Sequence, residues 1–325
     1  MTIVTKKPLN PRILAPMRDL RIVFMGTPDF AVPCLDILIK HGYNVVGVIT
    51  STDKYGGRGN KKLLQSAVKK YAVANNLHVL QPKNLKGKRF NKDLKALNAN
   101  LQVVVAFRML PEMVWDMPEY GTFNLHGSLL PSYRGAAPIN WAVMSNEIKT
   151  GVTSFKLKHE IDTGDTAIKA ELPVYYFDSV EEVHDRMQLL ASETVLHTVQ
   201  AIEKDVISFT TQDQSLVSHA PKLFPETCQI DTGKSVTDLY HFIRGLNPFP
   251  SAWTTLEDLK LKIYEAEPVE RVIGEAGSFV SDNKRYLRLC CKDGYLDILQ
   301  LQLQGKKRMK IKDFLNGYSI SLPES

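Results

Sequence analysis

The sequence predicts an α/β protein in which a Rossmann-like, doubly wound, mostly parallel sheet is followed by a smaller β-barrel. Up to about residue 206, short β-branched runs alternate with helical patterns, as in strand–helix–strand units whose strands are buried on both faces. Beyond about residue 223 one helix precedes closely spaced strands joined by Gly, Asn-Lys and Asp-Gly turns, the pattern of a small barrel. The 325 residues, 44% of them hydrophobic, suffice for more than one core. The expected division is an N-terminal extension at 1–19, a first domain at 20–206, a linker at 207–222 and a second domain at 223–325.

Residues 1–16 hold several prolines and no periodic pattern, with Met17 directly before the first strand, so they read as an alternative start, a tag remnant or a disordered arm, with no function assigned. Leu20–Met25 is the first apolar strand, Gly26-Thr27 a turn, and Pro28 suits the opening of a helix at Asp29–His41. The G-x-G-x-x-G set needed for close pyrophosphate approach is missing there, which argues against a dinucleotide site. Asn44–Thr50 is the second strand. Ser51–Lys62 then breaks the pattern with three glycines, four cations and Tyr55, a loop suited to phosphate and to stacking on a base.

A helix is expected over Leu63–Asn75, with strands at His78–Leu80 and Leu101–Ala106. Between them Lys83, Lys86, Lys88, Arg89, Lys92 and Lys95 read as a solvated helix face. Phe107–Pro111 follows a strand end and is apolar enough to line a slot for a flat heterocycle. Further strands are expected at Thr153–Leu157 and Ala167–Val174, a helix at Ala136–Ser145, and a long helix at Ser179–Lys204 with Ser179 and Glu182 as a capping box. In the second domain a helix at Val236–Arg244 precedes strands at Ala252–Leu256, Leu259–Glu265, Gly277–Val280, Tyr286–Cys291 and Tyr295–Leu303. Gly305–Lys312 is the second concentrated basic run.

The stretch Phe123–Asn140 organises the chain. Its strand ends in Asn124-Leu125-His126 and breaks at Gly127-Ser128. In a parallel sheet, reacting groups collect where strands end and the chain turns away. The period of two places Asn124 and His126 on one side, with Leu125 facing the other. A neutral amide donor and an imidazole together can bind a carbonyl oxygen and manage a proton. Taken alone, the same residues also read as a turn hydrogen bond and an ordinary polar strand end. A second segment, Ile161–Asp165, is a tight polar turn in which Gly164 would permit positive φ, and Asp162 is placed to orient His126.

Asn124-x-His126, Ser128-Leu129-Leu130-Pro131, Arg134-Gly135-x-x-Pro138 and Asp162-Thr163-Gly164-Asp165, in this order and spacing, resemble the 10-formyltetrahydrofolate-dependent formyltransferases. So do Val23–Ala31 and Asn247–Trp253, and the resemblance runs from about Leu20 to the carboxyl end. It implies formyl transfer from 10-formyltetrahydrofolate to an amine, with Asn124, His126 and Asp162 catalytic. Ser128, Leu129, Leu130 and Pro131 would form a folate-binding wall, and the slot at Phe107–Pro111 would take the pterin. The second domain would be an OB-like barrel.

The charge is +6, and its clustering carries more than its total. The two basic segments point within this family to methionyl initiator tRNA as acceptor. Arg58, Lys61 and Lys62 resemble an acceptor-stem insertion, and Lys306, Lys307 and Arg308 would follow the RNA backbone from the barrel rim. Glycinamide-ribonucleotide or amino-sugar formyltransferases need neither segment. A noncatalytic RNA-binding protein is disfavoured by the intact Asn124, His126 and Asp162. No apolar run approaches the roughly 20 residues needed to cross a bilayer, so a cytoplasmic protein is expected, and a monomer, since one chain holds both modules. Cys34, Cys228, Cys290 and Cys291 form no C-x-x-C pair, so reduced thiols and no metal site are expected.

Overall fold

The computed structural model describes residues 17–56, 59 and 61–321. The extension at 1–16 and Arg58 lie outside the described residues. In chain order the first part runs β1 (Arg21–Gly26), α1 (Val32–Lys40), β2 (Asn44–Ile49), β3 (Lys54–Gly56), β4 (Lys62–Leu64), α2 (Ala67–Ala74), β5 (Val79–Leu80), α3 (Lys88–Ala96), β6 (Leu101–Val105) and α4 (Glu112–Trp115). It continues with β7 (Thr122–His126), β8 (Arg134–Gly135), α5 (Pro138–Met144), β9 (Lys149–Lys156), β10 (Thr166–Pro173) and α6 (Val180–Glu203).

Seven of these strands form one sheet in the order β10-β9-β7-β6-β1-β2-β5. The five from β7 to β5 are parallel, and β9 and β10 add an antiparallel edge. Alternation along each strand sorts side chains between two cores. Ile22, Phe24, Val103, Phe123 and Leu125 pack toward α1 and α6. Val23, Met25 and Val104 pack on the other side with Phe90, Leu94 and Val114 of α3 and α4. The mostly parallel sheet and its two-sided burial are as the sequence predicted. Lys88, Arg89, Lys92 and Lys95 stand exposed on α3 while Phe90 and Leu94 are buried, so that cationic face is a solvated one.

The helix expected from Leu63 begins later. Lys62–Leu64 instead pairs antiparallel with Lys54–Gly56, and the bare α-carbon of Gly56 accommodates Leu64, whose Cδ1 would lie 2.5 Å from an added Cβ. The helix then starts at its own signal, Ser66, whose hydroxyl accepts from the Lys69 amide at 3.0 Å. Lys54 and Lys62 therefore lie on two paired strands.

After β11 (His219–Ala220) come α7 (Val236–Leu246), β12 (Ala252–Leu256), β13 (Leu259–Val269), β14 (Phe279–Ser281), β15 (Leu287–Cys290), β16 (Tyr295–Leu303), β17 (Met309–Lys310) and α8 (Ile311–Gly317). The second sheet has the order β12-β13-β16-β15-β14, with β17 paired to β16, and every pairing is antiparallel. Register shifts around Glu265 bend β13, as bulges do in small curled sheets. Leu261, Ile263, Leu289, Leu296, Ile298 and Leu301 fill its core beneath Leu239 and Ile243 of α7 and Phe314 of α8. All four cysteines are buried and free. No helix among the described residues is long and apolar enough to cross a membrane.

The two sheets are joined through α7. Arg244, 5% exposed, donates from Nη1 to the Asp178 carbonyl at 2.9 Å and from Nη2 to Asn146 Oδ1 at 3.2 Å. Gly245 is a close-approach position, because a Cβ there would sit 2.4 Å from Met144 Cγ and 2.9 Å from the Met144 amide of α5. Next to Arg244, buried His241 accepts at Nδ1 from Arg244 Nε at 2.8 Å, while its Nε2 has no partner among the described residues. Burial, and then the neighbouring guanidinium, push its pKa down to about 4.

Candidate active site

The carboxyl ends of β1, β6 and β7 open on one edge of the first sheet, where the chain leaves Val105 and His126 for loops. Phe123 and Leu125 point into the α6-side core, so alternation turns Asn124 and His126 to the opposite face. Asn124 is half-buried, and its side-chain amide makes no hydrogen bond among the described residues. A partly desolvated amide left free at a strand end fits an oxygen-bearing ligand. Beside it the loop after β6 brings out Phe107 and Met109, the latter 73% exposed.

His126 is 6% exposed and held on both edges. The Tyr133 carbonyl accepts from its Nε2 at 2.8 Å, and Nδ1 faces Asp162 Oδ2 at 3.7 Å. A carbonyl only accepts, so Nε2 carries a proton, and Nδ1 is the ring nitrogen left facing the carboxylate. Tyr133 reaches His126 from a left-handed conformation, φ 60°, fixed by Ser218, whose hydroxyl accepts from the Tyr133 amide at 2.9 Å.

Asp162 is 8% exposed and takes an unusual backbone as well, φ 56°. Its Oδ2 accepts from the Gly135 amide at 2.9 Å. The turn differs here from the sequence expectation. Positive φ falls on Asp162, whereas Gly164 is required by space: an added Cβ would lie 1.7 Å from the Lys156 carbonyl oxygen. Asp165 turns away to Lys158 at 2.9 Å, a contact that holds its carboxyl below the usual range.

The Ser128–Pro131 segment lies beside His126, but most of it faces inward. Ser128 is fully buried, its hydroxyl donating to the Ser132 carbonyl at 2.5 Å, and Thr153 Oγ1 donates to the Ser128 carbonyl at 2.7 Å. Leu130 is 1% exposed and Pro131 is buried, which leaves half-exposed Leu129 as the outward side chain of the four. A polar hydroxyl at a loop start spends itself on the loop.

A scan against family models matches the formyl transferase family over residues 20–199 and its C-terminal domain over residues 222–319. The chain belongs to the formyl transferase family. It is 51% identical over 311 residues to the methionyl-tRNA formyltransferase of Flavobacterium johnsoniae, covering 94% of this chain and 98% of that one. Among solved structures, a methionyl-tRNA formyltransferase from Clostridium thermocellum superposes with a TM-score of 0.54 at 16% identity, over 84% of this chain and 99% of that one. HypX from Aquifex aeolicus in complex with tetrahydrofolic acid gives a TM-score of 0.64 at 17% identity over 94% of this chain, which spans 49% of that protein. The two structural likenesses establish the fold.

Of the family residues picked from sequence, Asn124, His126 and Asp162 come together at one notch of this formyl transferase. Lys61 and Lys62 stand exposed at the β3–β4 hairpin. Lys306, Lys307 and Arg308 all stand exposed between β16 and β17, but the Arg308 guanidinium is engaged, stacked 4.1 Å above the Tyr264 ring, donating to Gln300 Oε1 and 3.8 Å from Glu265 Oε1. The stretch 207–222, expected to be a linker, is docked: β11 pairs parallel with β8, and Thr210 bridges to Thr166. Sequence reasoning missed Gln212 and Ser218 on this strap, and the partners of Arg134. A lone apolar-poor segment carries no period to mark such contacts. The one signal available was Gln212-Asp213-Gln214 standing close before Ala220-Pro221.

Proposed function

We propose that this chain transfers the formyl group of 10-formyltetrahydrofolate to the α-amino group of methionyl initiator tRNA. The product is N-formylmethionyl-tRNA, which starts translation. The observation that carries the chemistry is the free Asn124 amide beside the His126–Asp162 pair, 3.7 Å apart, at the end of β7.

Three roles follow from this geometry. The Asn124 amide donates to the formyl oxygen as negative charge grows on it, an interaction that strengthens toward the transition state. His126, with Nε2 committed to Tyr133, offers Nδ1 to the proton leaving the attacking amine; the resulting imidazolium, paired with Asp162, gives that proton to N10 as the N10–formyl bond breaks and tetrahydrofolate departs. Asp162 keeps the ring in register through the Gly135 amide. Transfer needs no covalent enzyme intermediate, since the unprotonated amine is itself the nucleophile. Leu129 and the Phe107–Met109 loop are the apolar surfaces offered to the folate ring.

The acceptor reading rests on the charge map and on the relatives of like length. A cavity of about 430 Å³ lies between the two sheets, bordered by Ala136 and Ala137 of the catalytic loop and by Lys222, Lys260, Lys262 and Trp253. Cations alternating with aromatic surface suit a single-stranded RNA end. With Lys61, Lys62, Lys306 and Lys307 as further exposed cations, residues 20–206 serve as catalytic domain and 223–325 as an OB-like tRNA-binding domain, acting as a cytoplasmic monomer.

The test is formyl transfer from 10-formyltetrahydrofolate to methionyl initiator tRNA, compared with glycinamide ribonucleotide and an amino sugar at matched salt. Transfer to the charged tRNA alone is expected. Transfer to a small acceptor alone would retain the catalytic residues and overturn the acceptor.

A further inference from the structure

Gln212 does more than a connecting segment requires. It is 5% exposed, although Thr211 and Asp213 on either side are exposed. Its Nε2 donates to the Asp162 carbonyl at 2.8 Å and the Gly164 carbonyl at 2.7 Å. Its Oε1 accepts from Arg134 Nε at 3.1 Å and Nη2 at 2.7 Å. Two donor hydrogens and two lone pairs exhaust what a side-chain amide offers.

Those four bonds tie together the two loops that place the catalytic carboxylate. One loop carries Arg134 and Gly135, and the Gly135 amide holds Asp162 Oδ2. The other carries Asp162 itself, in a left-handed conformation that a non-glycine residue adopts only when its surroundings enforce it. Arg134, 8% exposed, has no carboxylate within 4 Å among the described residues, so the Gln212 and Gln214 amides are its side-chain acceptors. The 3.7 Å gap between His126 and Asp162 is therefore set partly from outside both loops.

We infer that Gln212 is a positioning residue for formyl transfer, holding Asp162 in register with His126 from the strap between the two sheets. This rests on the formyl-transfer reading above. The arrangement pre-organises a carboxylate whose usefulness depends on sub-ångström placement.

The decisive variant is Gln212→Glu. It keeps the shape of the side chain and gives Arg134 an anionic acceptor, which keeps the new carboxylate ionised, but it cannot donate to the carbonyls of Asp162 and Gly164. A role limited to packing or to satisfying Arg134 predicts unchanged turnover. Positioning predicts a kcat lowered by about 10- to 100-fold with both KM values nearly unchanged. The loss should largely disappear when the change is made in an Asp162→Asn background, measured in single turnover. An unchanged kcat, a loss confined to KM, or an equal loss in the Asp162→Asn background would each overturn the inference. Should the glutamate variant melt below the assay temperature, Gln212→Met, which removes the Arg134 acceptor together with the donors, is read by the Asp162→Asn coupling alone: a loss that disappears in that background supports positioning, and an equal loss overturns it. A wild-type protein inactive toward every acceptor defeats the functional reading itself, whereas an active wild type matched by Gln212→Glu defeats only this inference.

Discussion

At the end of β7, His126 and Asp162 are nearly buried and are held by Tyr133, Gly135 and, through the backbone, Gln212. Lys61, Lys62, Lys306 and Lys307 stand exposed, and none forms an ion pair among the described residues. The notch spends its hydrogen bonds on fixing a geometry, and the cationic edges leave theirs for something else. Catalytic placement tolerates little error, while attraction to a polyanion falls off gently with distance and needs only charge on the correct side. The two regions should therefore fail differently when they are altered.

The largest effects belong to the notch. Asn124→Ala and His126→Ala are expected to lower kcat by about 10²- to 10³-fold each while the melting temperature stays near that of the parent, the scale found for single oxyanion donors. Asp162→Ala should lower kcat as well. Near-parental turnover in two of the three would remove the notch from the reaction. Next comes Gly164→Ala. Its methyl would overlap the Lys156 carbonyl, so thermal unfolding should show a loss of about 1–3 kcal/mol together with reduced kcat. A variant with unchanged stability and rate would mean that the turn yields freely.

At the cationic edges, Lys61→Ala with Lys62→Ala, or Lys306→Ala with Lys307→Ala, should raise KM for the tRNA and leave kcat unchanged. Each phosphate-contacting lysine removed should flatten the slope of log affinity against log salt by about 1. A fall in kcat without any change in salt dependence would assign those lysines to the chemistry and erase the contrast. Arg308→Ala should act more weakly, since its guanidinium is occupied by Tyr264 and Gln300.

The smallest effect concerns acid. His241 is neutral in the fold, with its pKa depressed to about 4 from an ordinary value of 6.5. Its contribution to stability is full above pH 6.5 and is lost as the pH falls toward about 4, because the unfolded chain binds the proton first. Melting temperatures followed from pH 7 to pH 4 should decline less steeply in His241→Phe. Parallel curves would place the acid sensitivity elsewhere.

The same contrast explains what the sequence disclosed. Asn124 and His126 were legible because a period of two and a strand end fix side and depth together. The parallel sheet was legible because strands buried on both faces admit little but β-branched and apolar residues. The hairpin at Lys62–Leu64 was not, since Leu63 and Leu64 fit a helical period as well as a strand, and only pairing with Lys54–Gly56 decides between them. Ser128 looked like a ligand contact, yet its bond to Ser132 depends on how the loop closes. The same holds for Gln212, whose four hydrogen bonds go to Arg134, Asp162 and Gly164, 48 to 78 positions away.

The junction through Arg244 and Gly245 bears on acceptor length. With α7 seated against α5 at van der Waals distance, and the guanidinium bonded to the carbonyl of Asp178, the second sheet has little freedom to approach the notch or recede from it. Under the acceptor proposed above, the basic rim and the His126 edge then act as the two jaws of a fixed caliper. An aminoacylated acceptor whose unpaired end is a nucleotide too short or too long would be gripped at one jaw and miss the other.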